Sequence, residues 1–188
     1  MEDLEEYGRV PIAFQVESVL DLSVRRGGLG GFALQERTLV VPFEKDHDAI
    51  PGNCPTDWIR LLDLTNWGIL SAYLDGQRVG GAAVAFRKSR GPLLAGRNDA
   101  GILWDLRVSP RVRRNGIGAS LFASAGRWAV ARGCRLLEVE TQNINVPACR
   151  FYASRGCLLS SIQRFAYREL PEEVRLVWHK HLEQPGAW

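Results

Sequence analysis

The 188-residue sequence has no run of 18 apolar residues, so no transmembrane helix and no membrane partner are expected. No two of its four cysteines (Cys54, Cys134, Cys149, Cys157) have the two-residue gap of a zinc or thiol-redox pair. The first residues, Met1-Glu2-Asp3-Leu4-Glu5-Glu6, are acidic where a secretory signal needs positive charge. Without such a signal a disulfide framework is not expected, and reduced thiols in the cytoplasm are the plain reading. There are three histidines. His179 and His181 would share one face of a strand, but two ligands without a third nearby do not make a metal centre, and no metal is expected. The glycine-dense stretch Arg25-Arg26-Gly27-Gly28-Leu29-Gly30-Gly31 lacks the Lys-Ser/Thr ending of a phosphate-binding P-loop. Its glycines also miss the dinucleotide order, and it reads as a flexible connection. No internal repeat, low-complexity tract or clear linker interrupts the chain.

What is present suits one globular domain over residues 1–188. Hydrophobic residues make up 46% and charged residues 24%, enough apolar material for a core. The net charge is +3, but it is unevenly spread. Seven arginines and no acidic residue lie between positions 106 and 137, which leaves −4 for the remainder. A polyanionic ligand would therefore have one place to sit, and the remainder suits a cationic one.

The pattern predicts strands at 12–22, 68–74, 78–87, 101–108, 134–141, 158–167 and 173–179. Asp75-Gly76 supplies a hairpin turn between the second and third of these. Gly80 and Gly81 suggest a bulge. Residues 36–63 read as irregular and acidic, broken by Pro42, Pro51 and Pro55, with a short helix at 56–64 capped by Thr56. Residues 88–98 read as a loop. Ile117, Leu121, Phe122, Ala125, Trp128 and Ala129 share one face of a helix over 116–132, which Gly133 ends. Asn145 caps a second helix, Pro147 is tolerated in its first turn, and Gly156 ends it. Strands followed by strand-helix-strand-helix-strand describe an α/β fold, a mixed sheet with helices on its faces.

The most informative segment runs from Leu103 to Gly118, where a strand meets a short loop that opens an amphipathic helix. The loop holds Arg113-x-x-Gly116-x-Gly118. The first turn of a helix has free N–H groups and the positive end of its dipole, and glycines let a phosphate approach. Arg111, Arg113 and Arg114 add charge, so a pyrophosphate is the natural occupant. A solvated basic helix start accounts for the glycine spacing equally well. In the second helix Ala148, Phe151, Tyr152 and Arg155 share a face, and Phe151 reads as core.

Together these two segments resemble the GNAT superfamily of acetyl-CoA-dependent N-acetyltransferases. The resemblance covers 101–157, the cofactor-binding core. It rests on the Arg-x-x-Gly-x-Gly loop and on Asn145, Ala148, Phe151, Tyr152 and Gly156, with Cys157 where the family usually has Phe. Trp104-Asp105-Leu106-Arg107-Val108-Ser109-Pro110, residues 140–149 and Leu170-Pro171-Glu172-Glu173-Val174 further resemble streptothricin acetyltransferases, an antibiotic-resistance group.

The resemblance implies a central, mostly antiparallel twisted sheet flanked by helices, and direct acetyl transfer from acetyl-CoA to a primary amine. It implies that backbone groups at Leu106 and Val108 hold the pantetheine arm like an added strand. It implies that Arg113, Arg114, Asn115, Gly116, Ile117, Gly118 and Ala119 cradle the pyrophosphate. Asn145 either contacts the cofactor or caps its helix. Tyr152 would protonate the leaving thiolate. Asp105 is the first candidate base and Glu140 the second, although either carboxylate could instead pair with an arginine or a cationic substrate. A small cationic acceptor such as a streptothricin-type antibiotic fits, as does a protein or peptide amine. A non-catalytic CoA-binding sensor or interaction domain is the alternative. Nucleic acid is not expected, because no aromatics are interleaved with the arginines. The sequence leaves the oligomeric state open, a homodimer included.

Overall fold

A computed structural model describes residues 2–86 and 99–183. The elements, in order, are α1 (Glu2–Gly8), β1 (Phe14–Val24), β2 (Phe32–Lys45), α2 (Pro55–Leu61), β3 (Trp67–Leu74), β4 (Gln77–Phe86) and β5 (Ala100–Val108). They continue with α3 (Ile117–Val130), β6 (Leu136–Gln142), α4 (Val146–Ser154), β7 (Leu158–Gln163) and β8 (Arg175–His181). Strands β1 and β2 form a two-stranded antiparallel ribbon. The other six form a mixed sheet in the order β3-β4-β5-β6-β8-β7. Its β3/β4, β4/β5 and β7/β8 pairs are antiparallel, and β5/β6 is parallel. The expected mixed α/β sheet with flanking helices is therefore present.

The chain divides into two compact units, each discontinuous in sequence. The first comprises residues 1–13, 46–139 and 180–188, and the second 14–45 and 140–179.

In the first unit, two adjacent glycines explain how the sheet is sandwiched. Successive strand residues face opposite sides. A Cβ at Gly80 would press on Leu121 and Ile117 of α3, whereas one at Gly81 would collide with the ring of Tyr7 in α1. On the α3 face, Gly68 and Gly101 likewise make room for Trp128 and Ala129. On the other face Leu4, Tyr7, Trp58 and Ala83 form a buried cluster backed by Leu62, Leu64, Trp67 and Ile69. Each large apolar side chain so buried contributes roughly 1.5–3 kcal/mol.

In the second unit, Val16, Val19 and Ile144 make a small core with Phe14 and Leu39. The ribbon register slips between Val16↔Phe43 and Ser18↔Thr38, so residues 39–42 form an insertion on β2. Val40 and Val41 are exposed on it.

Several sequence expectations need correction. Residues 36–45 are not irregular but belong to β2, whereas 46–54 are irregular as expected. The alternation of β2 is hidden because a two-stranded ribbon buries little of either face, and Pro42 sits in the insertion. Helix α1 was not anticipated. The short helix begins at Pro55 with Cys54 in the cap position, so Thr56 lies inside it. The bulge falls at Val79, between the pairs Ala72↔Gly80 and Tyr73↔Arg78, and the glycines serve packing instead. The predicted loop at 88–98 lies outside the described residues. No disulfide joins cysteines among the described residues. No helix among the described residues is long and apolar enough to cross a membrane.

Candidate functional site

Helix α3 begins without a side-chain cap. Gly116 stands at its N-cap with φ +80°, no side-chain hydrogen bond closes the turn, and its first turn holds no acidic residue. The first intrahelical bond runs from Ser120 N to Gly116 O at 3.0 Å. The amides of Ile117, Gly118 and Ala119 are therefore the open donors of the helix start. Arg114 is also left-handed, with φ +69°, a strained conformation for a residue with a side chain. A Cβ at Gly116 would meet nothing within 4 Å, so backbone conformation rather than space requires glycine there. An uncapped, glycine-opened helix start with a positive dipole end fits an anionic phosphate group.

Arg113 does not point its charge at that opening. Its Nε donates to Val108 O at 2.9 Å and its Nη2 to Ala13 O at 3.1 Å, so the side chain ties the loop to the end of β5. Arg107 departs further from expectation. It is 1% exposed and belongs to no surface patch. That leaves Arg111 and Arg114 as the other arginines of the loop before the helix, while Arg127 bonds Ser124 and Arg132 stacks on Trp128.

The β5 strand carries a second fitting feature. Its parallel ladder with β6 extends from Ala100↔Leu136 to Leu103↔Val139. Beyond Leu103 the β6-side edge of β5 has no ladder partner among the described residues. Ser109 N donates to Val79 O at 2.8 Å on the β4 side. Peptide groups alternate direction along a strand, so Arg107 also points toward β4 while Leu106 and Val108 present theirs to the open edge. An extended amide-bearing chain can add there as a strand, next to the open helix start.

Asp105 faces α1. Tyr7 Oη donates to Asp105 Oδ1 at 2.5 Å, and Arg107 Nε and Nη2 donate to its two oxygens at 2.9 and 2.8 Å. Arg107 also grips Asp48 through Nη1 at 2.8 Å and Nη2 at 3.0 Å, and donates to Val10 O. Burial alone would lower the pKa of Arg107, but the hydrogen bond and charge of Asp105 and the hydrogen bond of Asp48 outweigh it and raise it. Burial first, then the charge and hydrogen bond of Asp105, push the Tyr7 hydroxyl well above its ordinary range. Sequence reasoning missed Tyr7 and Asp48, which lie 98 and 59 residues from the groups they bond. No local signal marks such contacts.

In the second unit, Glu140 accepts from Tyr167 Oη at 2.7 Å on Oε1 and pairs with Arg175 at 3.0 Å on Oε2. Tyr167 also accepts from Gln142 Nε2 at 3.1 Å. Burial, followed by the charge of Glu140, raises the Tyr167 hydroxyl. Asn145 caps α4, its Oδ1 accepting from Ala148 N at 3.2 Å. Tyr152 is buried in α4 beside Val146 and Cys149. Phe151 is only half-buried and sets its ring edge-on to Tyr152 at 5.2 Å, so the core stripe runs through Val146, Cys149 and Tyr152 instead.

The acids of the 36–63 region are largely engaged. Asp57 bonds Arg60 and Asp63 holds Thr65 nearby in sequence, while Glu36 bonds Ser18 and Arg150 and Asp48 bonds Arg107 across long separations. No cluster among the described residues could hold a metal ion.

Comparison with known proteins bears on the family and the fold. Residues 32–157 match the Acetyltransferase (GNAT) family. The chain is 35% identical to the streptothricin acetyltransferase of Escherichia coli over 85 residues, 44% of this chain and 49% of that one. It therefore spans about half the length of that relative. A nourseothricin acetyltransferase structure superposes with a TM-score of 0.76 at 23% identity, over 97% of this chain and 94% of that one. A Bacillus anthracis str. Ames protein crystallised with acetyl coenzyme A superposes with a TM-score of 0.74 at 23% identity, over 97% and 96%.

Proposed function

Because the chain belongs to the acetyltransferase (GNAT) family, we propose that residues 1–188 act as one catalytic domain transferring the acetyl group of acetyl-CoA to a primary amine. The uncapped start of α3 beside the open edge of β5 is the observation that carries this reading. When bound, acetyl-CoA supplies a thioester whose acyl carbon an amine can attack with release of the thiol.

The chain's own residues divide the work. The amides of Ile117, Gly118 and Ala119 bind the pyrophosphate, with Arg114, Asn115 and Gly116 shaping the turn and Arg113 fixing it to Val108. Leu106 and Val108 offer backbone groups to the pantetheine arm. Asn145 holds the start of α4, and through it Tyr152, which gives its phenolic proton to the departing sulfur. Of the two carboxylates, Glu140 is the better base. Asp105 already accepts three hydrogen bonds, and its side chain is 7% exposed. Glu140 accepts one from Tyr167, pairs with Arg175, and is 28% exposed. Two carboxylate oxygens have about four acceptor sites, so Glu140 keeps room for a proton drawn from the amine through water. Asp105 acts as a structural ion-pair partner.

The match to a streptothricin acetyltransferase supports a small cationic acceptor. The test is a transfer assay with streptothricin, aminoglycosides, polyamines and peptides, read by CoA release and by mass of the product. Acetylation of a small cationic amine is expected. Acetyl-CoA binding without transfer to any member of the panel would establish a non-catalytic CoA-binding domain instead.

A further inference from the structure

Asn143 stands in the turn between β6 and α4 and is buried. Its main chain serves two neighbours at once. Its N–H donates to Val174 O at 3.0 Å, while its carbonyl accepts from Leu20 N, in β1, at 2.9 Å. A pair of residues that exchanges both backbone bonds would return the Val174 N–H to that carbonyl. Here the carbonyl is turned to β1, and the side chain stands in for it. Asn143 Oδ1 accepts from Val174 N at 2.8 Å, and Nδ2 donates to Leu20 O at 3.2 Å.

The residue type suits the place. A carboxamide carries an acceptor and a donor on the same carbon, and each faces its complement here. A carboxylate would set an oxygen against Leu20 O, and a glutamine is a methylene too long. An aliphatic side chain would leave the Val174 N–H and the Leu20 carbonyl without these partners.

What the carboxamide fixes is the direction of the peptide that joins Asn143 to Ile144. Ile144 is buried with Val16 and Val19. Asn145 N donates to Gln142 O at 2.9 Å and closes the turn, and Asn145 Oδ1 then caps α4. Were the Asn143 carbonyl to swing back to Val174, that peptide would rotate and disturb the cap that follows it. Tyr152 lies seven residues beyond the cap, about 10 Å along the axis at about 1.5 Å per residue. A tilt of about 10° at the cap would carry it by about 2 Å. Misplacing a reacting group by about 1 Å can cost about 10²-fold in rate. All of these residues belong to one compact unit.

We propose that Asn143 is a positioning residue for acetyl transfer that acts through Tyr152. By holding Leu20 and Val174 with one carboxamide, it fixes the turn that aims α4. This rests on the acetyltransferase reading and on Tyr152 as the proton donor. The loss on its removal falls on the chemical step and leaves the binding of acetyl-CoA intact.

The experiment is a double-mutant cycle of Asn143→Ala and Tyr152→Phe. It reads kcat on the best acceptor of the amine panel, acetyl-CoA affinity by calorimetry, and the urea midpoint of each chain. Asn143→Ala should lower kcat at least about tenfold, with acceptor KM and acetyl-CoA affinity within about threefold of wild type. In the Tyr152→Phe background the same substitution should change kcat by less than about twofold, because no proton donor is left to misplace. A residue that merely stabilises the fold would lower the urea midpoint and reduce kcat by a similar factor in both backgrounds. Where Asn143→Ala shows no cooperative urea transition, Asn143→Ser, which keeps a hydroxyl for one of the two bonds, takes its place in the same cycle. Equal losses in both backgrounds, or undiminished kcat in the single variant at position 143, would overturn the proposal. Wild-type turnover by Tyr152→Phe would overturn it together with the Tyr152 assignment. A wild-type chain that acetylates no amine would overturn the transferase reading and this role with it.

Discussion

Tyr7 Oη donates a hydrogen bond to Asp105 across 98 residues of sequence, at 2.5 Å, inside the unit that carries the helix opening of α3. Through that bond α1 is fastened to β5, the strand whose far end offers Leu106 and Val108. Removing the hydroxyl leaves a buried carboxylate short of one donor. Tyr7→Phe should therefore cost about 1–3 kcal/mol of stability, measured by urea unfolding. An unchanged midpoint would mean that Arg107 alone satisfies Asp105.

Gly118 lies in the first turn of α3, among the open amides. Gly118→Trp should abolish measurable acetyl-CoA binding by calorimetry while leaving the melting temperature close to wild type. Retained affinity would move the phosphate site away from this turn.

Tyr152 is the proposed acid. Tyr152→Phe should lower kcat by about 10²–10⁴-fold with little change in acetyl-CoA affinity. Turnover at the wild-type rate with a good acceptor would remove Tyr152 from the mechanism.

Glu140 and Tyr167 can be separated by substitution. Glu140→Gln should reduce kcat by about two orders of magnitude or more. Tyr167→Phe keeps the carboxylate and deletes only the hydrogen bond it accepts, so kcat should stay within about tenfold of wild type. A loss as large as that of Glu140→Gln would give Tyr167 a part in the proton transfer itself.

Alkaline conditions should destabilise the fold. Tyr7 and Tyr167 have pKa values raised above 10.0 by burial and by a neighbouring carboxylate, and burial pushes the Cys134 thiol from 9.0 up to about 11. The folded state holds these protons more tightly than the unfolded state does. Their contribution is complete below the unfolded values and is lost as pH climbs through the folded ones. Melting temperature should fall from about pH 9 upward, and Cys134→Ala should blunt the fall between 9 and 11. A flat profile through that range would contradict the burial assigned to these groups.

Much of this was legible in the sequence where the signal was local. The Asp75-Gly76 turn, the amphipathic face of α3 and the Asn145 cap each depend on residues within a few positions of one another, and each is present. The strand β2 was not legible, because a two-stranded ribbon leaves its residues mostly exposed and erases the alternation. The charge reading failed at Arg107 for a different reason. Composition counts an arginine as surface charge, whereas the distant Asp48 and the nearby Asp105 hold this one in the interior. The bulge at Trp104 was equally hidden, since an inserted residue is defined by the strand opposite and not by its own neighbours.

The missing cap of α3 makes the protein's endurance a matter of supply. A helix whose opening is closed by a ligand is held shut in proportion to how much of that ligand surrounds it. At a hundred times its dissociation constant, a bound anion adds about 2.7 kcal/mol to the folded state. Chains would then persist longest when the acyl donor is plentiful, and be cleared by proteolysis fastest when it is scarce, so the turn proposed to bind the donor would also meter the protein's lifetime.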